Sequence, residues 1–256
     1  MRALGGTWPA PVVLDSVEST NGVLAHHPGD AEGVCVVADE QTAGRGRLDR
    51  SWVSNAGAGL WMSVRVSLVG VPPERWPLLS MVAALAAREA LLDACGVRVG
   101  VKWPNDLVVG QRKIGGLLTE VVGSMAIVGI GINVAWSEDA LPTAEATSVL
   151  VEGGRTDREE LLARVLVNLE ELRARWRAED TGLLDEFRSA CLTLGREVIV
   201  RLPGGASVSG TASGVDDDGH LIVMDGATPV SVSAGDVIHA TITSWDTPQS
   251  SSPPVK

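Results

Sequence analysis

The sequence predicts an α+β protein: a mixed β-sheet flanked by helices, followed by a small C-terminal β-barrel. Three observations carry this. Residues 60–68 alternate apolar and polar side chains, residues 77–95 and 156–179 repeat apolar side chains at helical spacing, and the chain beyond Gly195 turns to short strand-like pieces.

Leu60, Met62, Val64, Val66 and Leu68 fall on one side and Trp61, Ser63, Arg65 and Ser67 on the other, the pattern of a half-buried strand. The Ala- and Leu-rich segment 77–95 then sets Leu78, Met81, Val82, Leu85 and Leu92 on one helical face and ends before Gly96. Val97, Val99, Val101 and Trp103 alternate with Arg98, Gly100 and Lys102 until Pro104, which cannot donate to a ladder, ends the strand. In residues 127–133 the period of two places Gly129, Gly131 and Asn133 on one face. Missing side chains there leave space for a ligand, with Asn133 at its rim.

Thr156-Asp157-Arg158-Glu159 reads as a capping box, and Leu162, Val165, Leu169, Leu172 and Trp176 continue an amphipathic helix to about residue 179. Strand-like pieces follow at 197–202, 207–214, 220–224 and 229–238, separated by Pro203-Gly204-Gly205 and Asp216-Asp217-Asp218-Gly219. The Ser- and Pro-rich tail is expected to be disordered. The predicted division is 1–192, 193–242 and the tail 243–256.

Composition narrows the function. With 256 residues, 45% of them apolar, the chain can bury a sizeable core. No apolar run reaches the roughly 18 to 20 residues of a membrane span, and the N-terminus lacks the apolar segment of a signal peptide. A cytoplasmic protein without a membrane partner is expected. Cys35, Cys95 and Cys191 are odd in number and widely spaced, as suits buried thiols in a reducing compartment. Neither they nor His26, His27, His220 and His239 have metal-site spacing. The net charge of −11 argues against nucleic acid as the main partner. A local cluster of Arg45, Arg47, Arg50, Lys102, Arg112 and Lys113 nevertheless suits a small anion.

The most informative stretch is Glu40-Gln41-Thr42-Ala43-Gly44-Arg45-Gly46-Arg47, which sets two guanidiniums on a backbone that glycine lets bend around an anion. By itself it is also compatible with a solvated loop. Its arginines are expected to repel one another until an anion arrives. Three further segments accompany it: Glu18-Ser19-Thr20-Asn21, Lys102-Trp103-Pro104-Asn105-Asp106 and Arg112-Lys113-Ile114-Gly115-Gly116. Ser19, Thr20 and Asn21 precede a helix-like segment and double as helix-capping residues. With the strand ending in Asn133, the set resembles the catalytic domain of biotin protein ligases over residues 12 to 240.

That resemblance implies the biotin/lipoate ligase catalytic fold with an SH3-like C-terminal barrel, and a two-step reaction. Biotin and ATP give biotinyl-5′-AMP and pyrophosphate, and a lysine of a biotin carboxyl carrier protein or domain then attacks the mixed anhydride. It assigns Ser19, Thr20, Asn21, Gln41, Gly44, Arg45, Gly46, Arg47, Lys113, Gly115 and Gly116 to biotin. Arg45, Arg47, Arg50, Trp52, Lys102, Asn105, Lys113 and Asn133 are assigned to ATP and the adenylate, with Trp52 stacking on adenine. Lys113, Arg47 and Asp106 are the catalytic candidates, and Asp106 either helps hold Mg2+ or orients the acceptor lysine. The chain departs from the fuller arginine-rich loop of some relatives at Leu48 and Asp49. Only about a dozen residues precede the first motif, too few for the DNA-binding module of bifunctional relatives; a monofunctional enzyme, monomeric or weakly dimeric, is implied.

No P-loop, G-x-S-x-G elbow or complete dinucleotide fingerprint is present. Two alternatives stay open: a lipoate or octanoate ligase of the same fold, and a non-catalytic nucleotide or anion sensor. Pyrophosphate release from ATP separates them, according to whether it depends on biotin, on lipoate or on neither.

Overall fold

The alternating segment becomes a central strand, and the sheet is arranged around it. In the computed structural model, which describes residues 8–27, 29, 31–48 and 50–239, seven strands form one mixed sheet. They are β1 (Val12–Val17), β2 (Cys35–Gln41), β3 (Gly59–Ser67), β4 (Gly100–Lys102), β5 (Asp106–Val109), β6 (Arg112–Val122) and β7 (Met125–Asn133), in the order β1-β2-β3-β7-β6-β5-β4. Only β1 and β2 run parallel; the other neighbours are antiparallel.

β3 departs from the half-buried reading: Trp61, Ser63 and Arg65 are as inaccessible as Met62 and Val64. The cause is a short helix, α1 (Thr20–Ala25), packed over β2, β3 and β7 on the face predicted to meet water. Arg65 is accommodated because its guanidinium donates to the carbonyls of Leu24, His27 and Gly29. These bonds tie β3 to the end of α1 and the loop after it, and Leu24 O also accepts from His27 N.

The other face carries the main core. α2 (Leu78–Ala90) continues through a π-turn at Leu91–Cys95 and stops at Gly96, whose φ of 76° is left-handed. Leu92, expected on the apolar face, is 38% exposed because the π-turn rotates it outward. Helix α3 (Arg158–Arg177) buries Leu162, Val165, Leu169, Leu172 and Trp176 as predicted. Its cap lies one residue later than the capping box implies: Asp157, not Thr156, accepts from Glu159 N and Glu160 N. Helix α4 (Gly182–Ala190) leads into the second sheet. None of these helices is long and apolar enough to cross a membrane.

That second sheet is antiparallel, built from β8 (Glu197–Arg201), β9 (Ser207–Val215), β10 (Leu221–Asp225), β11 (Thr228–Val232) and β12 (Asp236–His239), in the order β11-β10-β9-β8-β12. The single strand expected at 229–238 is two, interrupted at residues 233–235. One hydrophobic core joins both sheets, and Trp103 locks them by donating from Nε1 to Gly219 O. The three cysteines are unpaired and buried. Among the described residues, ligand atoms of His220, Asp216 and Asp218 lie within 4.8 Å of one another. The predicted N-terminal and tail features at 1–7 and 243–256 lie outside the described residues.

Candidate active site

The cavity forms where the glycines of β6 and β7 thin the sheet. Register sets Gly131 between Trp61 and Gly116, and Gly129 between Ser63 and Leu118, on the same face as α1. The space is occupied rather than empty. A Cβ on Gly129 would lie 2.3 Å from Asn21 Oδ1, and one on Gly131 would lie 2.9 Å from the Trp52 indole. The two glycines therefore admit the Asn21 amide and the Trp52 ring against the strand.

At one end the lining is neutral and polar. Ser19 caps α1 by accepting from Gly22 N. Gln41 Oε1 lies 2.9 Å from Thr20 N and 3.1 Å from Thr20 Oγ1, while its Nε2 donates to Ser54 Oγ at 3.2 Å. Such a cluster offers donors and acceptors without net charge, as a urea or amide requires.

Cations gather at the other end. Lys113 Nζ is 2.6 Å from Asp106 Oδ1 and 5.2 Å from the centre of the Trp52 ring. Gly116 leaves room for it, since a Cβ there would sit 3.1 Å from Nζ. Each loop arginine has a partner outside the loop, while the Arg50 charge still opposes that of Arg47. Arg45 pairs with Glu120 at 2.9 Å, Arg47 donates to Asn105 Oδ1 at 3.3 Å, and Arg50 pairs with Asp236. Burial pulls the Arg47 guanidinium below the usual arginine range, against the raising charges of Asp106 and Asp236. The hydrogen bond to Asp236 pushes Arg50 up. Gly46 N donates to Arg50 O and Trp52 N to Gly44 O, which folds the loop back on itself.

The family described as the biotin/lipoate A/B protein ligase family matches residues 13–136, and the biotin protein ligase C-terminal domain matches residues 193–240. A biotin–[acetyl-CoA-carboxylase] ligase of Mycobacterium tuberculosis is 38% identical over 242 residues, covering 92% of this chain and 91% of that protein. This chain belongs to the biotin protein ligase family. A ligase of the same description from Paracoccus denitrificans is 36% identical, with 88% and 98% covered. Among solved structures, the biotin protein ligase of Aquifex aeolicus in complex with biotin and ATP superposes with a TM-score of 0.80 at 30% identity, covering 91% and 99%.

In this member of the biotin protein ligase family, the cavity is lined by Ser19, Thr20, Asn21, Gln41, Arg45, Gly46, Arg47, Arg50, Trp52, Lys102, Asn105, Asp106, Lys113 and Gly116. Three predicted site residues stand back from it. Asn133, expected at the rim and on the adenylate, is buried and donates to Thr147 O, because β7 has passed beneath the 143–149 segment by that point. Gly44 and Gly115 serve close backbone approach: a Cβ would lie 2.5 Å from Trp52 O at the first and 2.8 Å from Gly131 O at the second. Sequence reasoning missed Ser63, Glu120 and Asp236. Ser63 carried no signal, because the alternation assigned it to the polar face of the strand; Asp236 comes from the second sheet, and nothing local marks it.

Proposed function

We propose that the protein attaches biotin to a lysine of a biotin carboxyl carrier protein or domain, through biotinyl-5′-AMP formed from ATP. The observation that carries this reading is the cavity's two-ended character: an uncharged polar cluster from α1 and Gln41, and a fixed ammonium at Lys113 a short way along the same cleft. Such a site binds a neutral urea at one end and holds the carboxylate and α-phosphate together at the other. The relative solved with biotin and ATP supports it.

Adenylation brings two anions into contact, so a preorganised cation lowers the barrier where negative charge gathers. Lys113 has this role, with Arg45, Arg47 and Arg50 holding phosphate oxygens and Trp52 giving an aromatic face to adenine. The second step needs no protein nucleophile, because the carrier's lysine attacks the mixed anhydride directly, forming the amide as the acyl–phosphate bond breaks and AMP leaves.

Mg2+ would enter with ATP and would supply charge neutralisation to the phosphates. Asp106 suits it as a single protein carboxylate, since only one of its oxygens is engaged by Lys113. Two functional parts, 1–192 and 193–242, are supported by the two sheets and the two family matches. Three buried, unpaired thiols favour a cytoplasmic location.

The test is incubation with labelled biotin, Mg·ATP and a carrier domain. Label on a single carrier lysine, with biotin-dependent pyrophosphate release, is the expected result. Release that depends on lipoate instead, or no release, overturns the reading.

A further inference from the structure

Glu120, near the end of β6, accepts two hydrogen bonds through Oε2: from Asn21 Nδ2 at 2.7 Å and from Arg45 Nη2 at 2.9 Å. One donor belongs to the first turn of α1 and the other to the arginine loop. We propose that Glu120 is a positioning residue that sets the hydrogen-bond polarity of the biotin end, so that Thr20 offers a lone pair to the cavity. The proposal rests on the biotin-ligase reading and deepens it.

The argument is a count of protons. A carboxylate only accepts, and so does the Leu118 carbonyl, which lies 3.3 Å from the same Asn21 nitrogen. Both therefore demand the NH2 side of the Asn21 amide, and its Oδ1 must face Ser63. Ser63 Oγ is within bonding distance of that Oδ1 and also 2.7 Å from Thr20 Oγ1. A hydroxyl has one hydrogen, and Oδ1 can only accept. Ser63 thus donates to Asn21, and the contact with Thr20 survives only if Thr20 donates to Ser63.

The single Thr20 hydrogen goes to the nearer Ser63 Oγ, at 2.7 Å, rather than to Gln41 Oε1 at 3.1 Å, and Thr20 Oγ1 is left with acceptor capacity. Gln41 Oε1 is then served by Thr20 N–H at 2.9 Å alone and keeps a lone pair as well. The biotin end is consequently acceptor-rich, which matches the two N–H donors of a urea. Space enforces the same arrangement, because Gly129 is the only residue type at its position that lets the Asn21 amide sit where Glu120 and Ser63 both reach it.

Two variants separate this role from a plain ion pair with Arg45. Glu120→Gln keeps an acceptor for Asn21 and drops the charge; Glu120→Ala removes both. KM for biotin is expected to rise about tenfold in E120A, the scale of one unmet buried polar group. At saturating biotin, kcat for pyrophosphate release should stay within about threefold of wild type. E120Q should keep KM for biotin within about twofold. Equal KM increases in the two variants overturn the proposal, as does an E120A defect confined to kcat. If circular dichroism shows E120A unfolded, E120Q decides alone: a KM near wild type supports the proposal and a tenfold rise overturns it. Wild-type protein assayed in parallel distinguishes the two levels, since absence of its biotin-dependent turnover defeats the ligase reading itself.

Discussion

Lys113 Nζ lies 2.6 Å from Asp106 Oδ1, across adjacent antiparallel strands, and directly over the space left by Gly116. The carboxylate holds the flexible lysine in one place before any substrate binds, so its ordering is not charged to the reaction. Removing the cation should be felt mainly in the transition state. Lys113→Ala is expected to slow biotinyl-AMP synthesis by about two to three orders of magnitude, on the scale of losing one preorganised electrostatic group. Asp106→Ala, which leaves the lysine present but unheld, should cost less. Single-turnover formation of labelled biotinyl-AMP measures both, and near-normal rates in K113A would remove the residue from its role.

Arg47 bridges the loop to Asn105 on the far wall of the cavity. Arg47→Ala should loosen that closure and let the reactive anhydride escape. Faster appearance of free biotinyl-AMP in filtrates, with its synthesis less affected, is the expected outcome. Unchanged leakage would make the loop a static wall.

Gly129 and Gly131 predict two distinguishable lesions. Gly129→Ala drives a methyl group to 2.3 Å from Asn21 Oδ1 and should raise KM for biotin about tenfold or more while sparing KM for ATP. Gly131→Ala presses instead on the Trp52 indole, and its effect should fall on ATP. Steady-state KM values for the two substrates, determined separately, decide the matter.

Arg65 predicts a stability effect at a distance from the chemistry. It is buried, and its guanidinium satisfies three carbonyls around the end of α1. Arg65→Ala should lower the free energy of unfolding by about 3 kcal/mol, since three carbonyls lose a charged donor and a buried side chain is removed from β3. A shifted midpoint in urea titration, without a change of slope, is the signature to look for.

The buried thiols give a pH dependence. Burial pushes Cys35 up to about 12 from an ordinary 9.0. The folded value lies above the unfolded one, so the contribution is fully present below pH 9 and is lost as pH rises toward 12. Relative to Cys35→Ala, the wild type should lose stability across that window with a slope of up to about 1.4 kcal/mol per pH unit. Parallel curves for the two proteins above pH 9 would contradict it.

The sequence by itself determined the periodic elements and the motif residues, because both are written locally. The helical repeat of Leu162, Val165, Leu169, Leu172 and Trp176 survives in the fold, as does the period of two that puts Gly129 and Gly131 on one face. Most of the chemistry-bearing residues singled out by their motifs do meet in one cavity, since each motif lies at the end or start of a strand or opens a helix. What tertiary structure decided is what covers each face and which charge meets which. A lone strand cannot reveal that α1 will bury Ser63 and Arg65, and two glycines in a strand cannot tell empty space from room for Asn21 and Trp52. Asn133 turned inward, and Glu120 and Asp236 became partners of Arg45 and Arg50, for the same reason. Pairing of groups 75 and 186 residues apart is fixed by packing of the folded chain and leaves no mark in the local order of side chains.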